Sequence, residues 1–341
     1  MKIWVDFINT PQVNFFEGLI EKLNFKGVDY IITCRDSANT IKLIEQKKWD
    51  YNLVDGYKKG NTILKSIGFP LRLFRLWKFI RKQKIDAAIC QSSFYLPVVS
   101  WSLKIPSIYT NDNEHAKGNF FGFVFATKVI LPEVLNKFIS NSRYKGHEKI
   151  SYYPGIKEGI YLNSIRDDIK NTKEKKEKKC IYFRPEPLTA QYYRGPKYFM
   201  DSLLIELAKN YQVKIIPRCI QQFKHYSKED FKECIIQDGV IKLTDLVSDC
   251  DLFIGAGGSM TRELSLLGVK VISTYQGKLL ESDRFLINHG LLVHNSNPNV
   301  SFVVNIIEND QIDHKTKVID SILDKGVEAN QLIIKQLLSL K

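Results

Sequence analysis

The chain has 341 residues, 44% of which are hydrophobic, and its formal net charge is +13. This length exceeds what one hydrophobic core usually serves and predicts two domains, while no apolar run approaches the length that spans a membrane. The positive charge predicts an anionic partner, such as a nucleotide or an anionic lipid headgroup; no recognised motif supports nucleic acid, and we expect none.

Residues 1–8 form a predicted strand without the pattern of a signal peptide, so we expect a cytoplasmic protein. The six cysteines show no CxxC pair and no regular spacing, and several lie in or beside apolar strands. That distribution favours reduced core cysteines over disulfides or metal ligands. We predict neither a metal site nor a bound cofactor, and oligomeric state is left open.

The first half alternates short apolar runs with helical patterns, which predicts an α/β domain with a doubly wound parallel sheet. Its predicted strands are Lys2–Ile8, Val28–Thr33, Tyr51–Val54, Asp86–Cys90, Ser107–Tyr109 and Lys128–Leu131. Pro11 is predicted to begin a helix over residues 12–25. Asn9, Thr10 and Asn14 follow the first strand, where open sheets place ligands, although helix capping explains the same residues equally well.

Residues 57–84 are basic, and within 70–84 the apolar side chains alternate with Arg72, Arg75, Lys78, Arg81 and Lys82. An amphipathic helix of this kind, with a Trp at position 77, is typical of contact with an anionic membrane. The same pattern is also typical of a helix that packs on the sheet and keeps its cationic face in water.

The polar segment Tyr109–His115 (YTNDNEH) emerges from a short predicted strand. Asp112, Glu114 and His115 bring two carboxylates and an imidazole together, which suits general-base chemistry. The alternative is a helix start, with Asp112 as its cap and Glu114 near the positive end of the dipole. One His without a second nearby is weak evidence for a metal site.

Pro154 and Gly155 interrupt regular structure, and a charged run over 166–179 follows. We therefore predict a first domain over 1–155, a linker over 156–178 and a second domain over 179–325, followed by a terminal helix over 326–341. Two helices are expected in the tail, near 315–326 and 328–340.

The second half contains three candidate ligand-binding positions after predicted strands. Arg184 and Glu186 lie in a proline-stiffened loop after Cys180–Phe183, where Arg184 can bind a diphosphate with its planar guanidinium. A surface Arg–Glu pair is the alternative. Arg218 follows Lys214–Ile216 at another predicted strand end and is a further candidate ligand contact.

The segment 251–290 combines a strand, a glycine turn, a helix start and a second strand. Free N–H groups and the positive helix dipole make such a start an anion site, and Ser259 is the expected cap. An ordinary strand–helix turn is the alternative reading. Further on, Lys278 is a candidate phosphate or sugar contact, while Glu281 and Asp283 suit a helix N-terminus. The remaining candidate positions at the helix start are Gly257, Gly258, Met260, Thr261 and Glu263.

Gly257-Gly258, Glu263 and Leu267-Gly268-Val269 resemble the donor-binding segment of GT-B enzymes, which include nucleotide-sugar glycosyltransferases and non-hydrolysing UDP-GlcNAc 2-epimerases. Over most of its length the chain more closely resembles the DUF354 proteins. That likeness is carried by the opening MKIWVDFINTPQVNFF, by NDNEH, by FRPEP and by GGSMTRE…GKLLESDRFLINHGLL.

This resemblance implies a GT-B-like pair of Rossmann-type domains facing across a cleft, with the nucleotide-sugar held mainly by the second domain. It also implies that Arg218 lines the nucleotide-base pocket and that the terminal helix over 326–341 crosses back to the first domain. It implies that the protein transfers a sugar, in polysaccharide biosynthesis, to a cell-envelope glycan or a lipid-linked acceptor. The donor is expected to be UDP-linked. If the protein is membrane-associated, the expected location is the inner face of the membrane. Glu263 would hold the ribose, and Asp112, Glu114 or His115 would deprotonate the acceptor. The alternatives are nucleotide-sugar 2-epimerisation and a non-catalytic nucleotide-sugar-binding protein.

The sequence also departs from these enzymes. Val269 stands where a Pro usually follows Leu-Gly, and the acid–base residues of the epimerases cannot be matched with positions in this chain.

Overall fold

The computed structural model describes residues 1–35, 40–54, 62–169, 178–188, 193, 195–239, 241–309 and 313–340. The chain divides into two compact units. Unit 1 comprises Met1–Tyr161 together with Lys325–Lys341, and unit 2 comprises Leu162–Asp324.

Each unit is built on a parallel sheet. Among the described residues, the sheet of unit 1 has seven strands: β1 (Lys2–Phe7), β2 (Asp29–Cys34), β3 (Asn52–Leu53), β4 (Ala87–Gln91), β5 (Ser107–Thr110), β6 (Lys128–Pro132) and β7 (Ile150–Tyr153). The sheet of unit 2 has six in the same described part: β8 (Cys180–Arg184), β9 (Gln212–Ile215), β10 (Ile235–Ile236), β11 (Leu252–Gly255), β12 (Lys270–Ser273) and β13 (Val293–His294).

Helices connect the strands. In unit 1 they are α1 (Pro11–Phe15), α2 (Glu17–Phe25), α3 (Thr40–Gln46), α4 (Thr62–Ile80), α5 (Tyr95–Ser102), α6 (Asn119–Phe125), α7 (Asn136–Ser140) and α8 (Lys157–Leu162). Those that follow are α9 (Arg166–Ile169), α10 (Asp201–Ala208), α11 (Ile220–Tyr226), α12 (Leu243–Asp249), α13 (Ser259–Leu266), α14 (Glu281–Asn288), α15 (Val300–Glu308) and α16 (Asp313–Leu338).

The two sheets share one strand order. Unit 1 runs β3-β2-β1-β4-β5-β6-β7, and unit 2 runs β10-β9-β8-β11-β12-β13. In both, the chain moves outward in one direction from the first strand and then restarts beside it with the fourth. That switch point, between β1 and β4 or between β8 and β11, is where open α/β sheets leave a crevice for ligands. The predicted doubly wound parallel sheets are confirmed.

The cores consist of the apolar runs that predicted the strands. In unit 2, Ile181, Phe183, Leu252 and Ile254 are fully buried in one cluster with the inner faces of α10 and α15. Because strands covered on both faces need apolar residues throughout, such runs lack polar alternation.

Two predicted helix assignments need correction. The helix expected over 12–25 is divided at Phe16 into α1 and α2, with Pro11 at the first turn as predicted. The tail forms one continuous helix, α16, instead of two. Gly326 lies inside this helix and does not interrupt it. A glycine at this position allows close packing, because a Cβ there would lie 2.0 Å from the carbonyl oxygen of Gly159.

The predicted linker over 156–178 contains α8 and α9, while residues 170–177 lie outside the described residues. Of the basic stretch 57–84, residues 57–61 also lie outside them. In the described part of the chain, none of the helices combines the length and the apolarity that crossing a membrane requires.

The helix α4 packs on unit 1 through one face and exposes the other. Leu76 and Ile80 are fully buried, as the core alternative predicted, whereas Leu71 and Phe74 are exposed. Arg72 was expected on the cationic face in water, and this expectation is wrong: Arg72 lies four residues before Leu76 on the buried face and is itself fully buried.

Candidate functional site

The switch point of unit 2 is formed by the end of β8 and the glycine turn after β11. Arg184 pairs in register with Gly255, and the Arg184 carbonyl accepts the Ala256 N–H at 3.0 Å. The turn is closely packed, since a Cβ on Gly255 would lie 2.6 Å from Thr261 Oγ1. The backbone of residues 255–258 therefore lies directly beside Arg184, at the carboxyl edge of the sheet.

The helix α13 begins at this turn. Its N-cap is Gly258, and no side-chain capping bond is formed in this segment, so the expectation that Ser259 caps the helix is wrong. The first intrahelical bond joins Arg262 N–H to Gly258 O at 3.0 Å. The N–H groups of Ser259, Met260 and Thr261 precede that bond, as at any helix start, and they carry the positive end of the dipole.

Two guanidinium groups lie at the glycine turn. Burial lowers the pKa of Arg184 to about 10, the neighbouring Arg218 charge acts in the same direction, and Glu263 opposes them. Arg218 packs against Gly257 so closely that a Cβ there would lie 2.4 Å from Arg218 Nη2. Among the described residues, the Arg184 guanidinium has no hydrogen bond to a side chain or carbonyl. Two cations that raise each other's energy form a site that an anion would stabilise.

Arg218 is held by groups that the sequence did not indicate. Its Nε donates to Pro185 O at 2.6 Å, and its N–H donates to Gln222 Oε1 at 2.9 Å. Gln222, fully buried, also donates to Glu186 O at 2.8 Å. Glu186 is fully buried and accepts the Tyr198 N–H at 2.7 Å. Glu186 therefore positions the loop that carries Arg184, and it does not form the surface pair considered as the alternative.

A buried ion pair holds the first turn of α13 in place. Arg262 Nη1 lies 2.9 Å from Asp283 Oδ1, and both side chains are almost fully buried. A Cβ on Gly258 would lie 2.7 Å from Arg262 Nη1, so the glycine makes room for this pair. Asp283 also accepts the Leu280 N–H at 3.2 Å, which confirms its predicted place at a helix start. Lys278, in the same loop, is exposed.

In unit 1, Asp112 lies just after β5 and is engaged by protein partners. Lys157 Nζ is 2.6 Å from Asp112 Oδ2, and Gln91 Nε2 donates to Asp112 Oδ1 at 2.6 Å. Lys157 also lies 3.5 Å from Glu158 Oε1, and all four side chains are nearly or fully buried. The alternative in which Asp112 caps a helix is wrong, since α6 begins only at Asn119.

Glu114 and His115 line a cavity of about 280 Å³ within unit 1. His115 Nε2 lies 3.5 Å from Glu114 Oε1; the His115 side chain is 26% exposed, and that of Glu114 is fully buried. The cavity wall is mostly aromatic and aliphatic, with Lys117 and Arg143 as its cations. An imidazole backed by a carboxylate at a cavity is an arrangement that can accept a proton.

The residues predicted after β1 also lie at a strand end. Asn9 N–H donates to Gln12 Oε1 at 3.1 Å, and Asn9 Oδ1 accepts from Arg35 Nη2 at 3.4 Å. Thr10 Oγ1 is 3.3 Å from Thr40 Oγ1, and Asn14 is half-buried on α1. Thr10 makes no side-chain capping bond to α1 in this segment, so the capping alternative is wrong for Thr10.

The structure brings some of the predicted residues together and separates others. In unit 2, Arg184, Arg218 and Gly257 lie together at the start of α13. In unit 1, Glu114 and His115 line one cavity, whereas Asp112 pairs with Lys157 and Gln91. Sequence reasoning missed Lys157, Gln222 and Gln91. Gln91 could have been found as the end of a strand neighbouring β5, because parallel strands end at one edge of a sheet.

Comparison with known proteins identifies the family. The family described as "Protein of unknown function (DUF354)" matches residues 1–331. The chain belongs to this family. An uncharacterised protein of Methanocaldococcus jannaschii is 31% identical over 336 residues, covering 90% of this chain and 91% of that protein.

Solved structures of GT-B proteins share the fold. The UDP-GlcNAc 2-epimerase of Neisseria meningitidis bound to UDP-GlcNAc superposes with a TM-score of 0.66 at 13% identity, over 99% of this chain and 100% of that one. The glycosyltransferase SnogD of Streptomyces nogalater superposes with a TM-score of 0.66 at 12% identity, over 100% and 99%. At these identities the likeness establishes the GT-B fold, and the reaction is argued from the site.

Proposed function

We propose that this protein is a glycosyltransferase that binds a nucleotide diphosphate-sugar in unit 2. The observation that carries the proposal is the pair of guanidinium groups, Arg184 and Arg218, at the glycine turn and the start of α13. An arginine guanidinium can bind two diphosphate oxygens at once through two N–H groups, and glycines, which have no Cβ, allow the backbone to approach the diphosphate closely. A UDP-linked donor and a cell-envelope glycan or lipid-linked acceptor are the substrates we assign.

Each group has a role in this reaction. The acceptor hydroxyl oxygen attacks the anomeric carbon, and the bond from that carbon to the diphosphate oxygen breaks. Arg184, Arg218 and the α13 N–H groups stabilise the charge that grows on the departing nucleoside diphosphate. Glu263 accepts hydrogen bonds from the ribose hydroxyls. The exposed Lys278 contacts a phosphate or the sugar of the donor.

The proton of the acceptor hydroxyl passes to His115 in this proposal, with Glu114 stabilising the imidazolium that forms. Asp112 was an equal candidate on sequence grounds. Its oxygens are engaged by Lys157 and Gln91, so we assign it to holding the loop that carries Glu114 and His115.

Thermal-shift scans with UDP, GDP, ADP, TDP and CMP test the proposal. One nucleotide should stabilise the wild type saturably, and Glu263→Ala should weaken the shift, while Lys232→Gln, an exposed control in unit 2, should leave it unchanged. His115→Gln should abolish transfer and keep nucleotide binding. If no nucleotide shifts the wild type, the donor site is wrong; binding without turnover on any acceptor extract would favour a non-catalytic nucleotide-sugar-binding protein.

A second candidate, nucleotide-sugar 2-epimerisation, is favoured by the buried cluster of Asp112, Lys157 and Glu158. Epimerisation needs acid and base groups on both faces of the sugar ring, and this cluster supplies more such groups than one glycosyl transfer requires. Exchange of solvent deuterium into sugar C2 without any acceptor would favour this reaction over transfer.

A further inference from the structure

Three neighbouring helices of unit 1 expose large apolar side chains. Phe74 on α4 and Trp101 on α5 are 58% and 62% exposed. Leu71 on α4 and Phe120 and Val124 on α6 are 41%, 42% and 44% exposed. We call these five side chains the apolar face. Exposed apolar residues that cluster in this way mark interaction surfaces, whereas isolated ones are ordinary.

Ring contacts beneath the apolar face join the three helices. Phe69 on α4 lies 5.0 Å from Phe121 on α6, measured between ring centroids. Phe121 stacks with Phe125 at 6.4 Å, and Phe125 contacts Trp101 on α5 at 5.1 Å. One series of ring contacts therefore joins the three helices that carry the exposed side chains.

The charged side chains of these three helices are all cationic. Segments 62–80, 95–102 and 119–125 contain no Asp or Glu. Two cations stack on aromatic rings of the region: Arg81 lies 4.6 Å from the Trp77 ring and Arg143 lies 5.4 Å from the Phe120 ring. Further exposed cations on the helices or directly after them are Arg75, Lys78, Lys82 and Lys104.

We propose that the apolar face docks on the surface of an anionic lipid bilayer. Aromatic and aliphatic side chains would enter the boundary between headgroups and acyl chains, and the surrounding Arg and Lys residues would bind lipid phosphates. A second copy of this chain would bring the same positive charge against itself, which opposes self-association through this face. This inference goes beyond the proposed function and does not depend on nucleotide binding.

Vesicle flotation tests the inference, with phosphatidylcholine vesicles and with vesicles that also contain phosphatidylglycerol. The wild type should float only with the anionic vesicles, and added salt should release it. The double change Phe74→Ser with Trp101→Ser should lower partitioning at least about tenfold, and Lys78→Gln with Lys104→Gln should lower it similarly.

The matched control is Phe25→Ser on α2. Phe25 is 84% exposed and lies 5.3 Å from Lys22 Nζ, so it offers an aromatic ring with a cation outside the apolar face. The control should partition like the wild type. Thermal melting of every variant should match the wild type, which keeps a folding defect separate from a binding defect.

Several outcomes would overturn the inference. These are failure of the wild type to float with anionic vesicles, equal flotation with neutral vesicles, and an equal loss in Phe25→Ser. A dimer in solution that the Phe74/Trp101 change abolishes would assign the face to a second copy instead. Because the vesicles contain no nucleotide, a failure here leaves the proposed donor site intact, and a failure of nucleotide binding leaves this inference intact.

Discussion

The two units have the same strand order but carry groups of opposite charge at their switch points. In unit 1 the fully buried Asp6 near the end of β1 receives Arg72 Nη2 at 2.8 Å and Thr33 Oγ1 at 2.7 Å. Ser93, just after β4, also donates to Asp6. In unit 2 the corresponding first strand ends in Arg184, beside Arg218 and a glycine turn. One charge is neutralised by the protein, and the other is held beside a second cation.

The difference explains why the same topology yields a structural network in one unit and a candidate anion site in the other. Gln12 in unit 1 accepts the Ile8 N–H at 2.5 Å and donates to Gln91 O, joining the ends of β1 and β4 across the switch point. Gln222 in unit 2 holds Arg218 beside the glycine turn. A buried glutamine thus joins the ends of two strands in unit 1 and holds Arg218 at the candidate anion site in unit 2.

The largest expected effect comes from breaking the buried pair in unit 1. Asp6→Asn removes the charge that balances the fully buried Arg72, and we expect a loss of about 3–5 kcal/mol in the free energy of unfolding. Equilibrium urea denaturation measures it. Asp86→Asn is the matched control, because the Asp86 side chain is 60% exposed and should change stability by less than about 0.5 kcal/mol. A similar loss in both variants would contradict the comparison.

Much of the sheet architecture could be predicted from the sequence, because buried parallel strands require unbroken apolar runs. The Asp6–Arg72 and Asp112–Lys157 pairs could not, since 66 and 45 residues separate their members. Arg72 offered one signal: it lies on the same helical face as Leu76 and Ile80. The glycine turn was predictable because a turn between a strand and a helix is a local feature of the backbone, whereas Gln222 and Lys157 act through tertiary contacts.

The opposite behaviour is expected of Arg184→Gln in unit 2. Loss of a charge-assisted diphosphate contact should raise the Kd for UDP about 10- to 100-fold. The stability of the free protein should stay equal or increase, because burial and Arg218 disfavour the Arg184 charge. Isothermal titration calorimetry and urea denaturation on one preparation measure both quantities. A destabilised variant that keeps wild-type UDP affinity would assign Arg184 to the structure, as Asp6 is assigned in unit 1.

A smaller effect is expected at the glycine turn. Gly257→Ala places a methyl group where Arg218 Nη2 would be 2.4 Å away, so the guanidinium must move and the Kd for UDP should rise by about tenfold at most. A double-mutant cycle with Arg218→Gln locates the cause. If the methyl acts through Arg218, the two changes together should cost little more than Arg218→Gln alone. Fully additive effects would show that Gly257 matters for direct approach of the ligand instead.

The smallest expected effect is a pH dependence that only unit 2 should show. The pKa of Arg184 is lowered to about 10, and a bound diphosphate favours the protonated form and raises that pKa again. Affinity should therefore be constant below pH 9 and fall about twofold at pH 10, where about half of the free sites have lost the proton. Pyrophosphate titrations at several pH values, for wild type and Arg184→Gln, measure the ratio of affinities and cancel the ionisation of the ligand and of lysines. A constant ratio would mean that the Arg184 proton is not linked to anion binding, and the contrast between the two switch points would then rest on geometry alone.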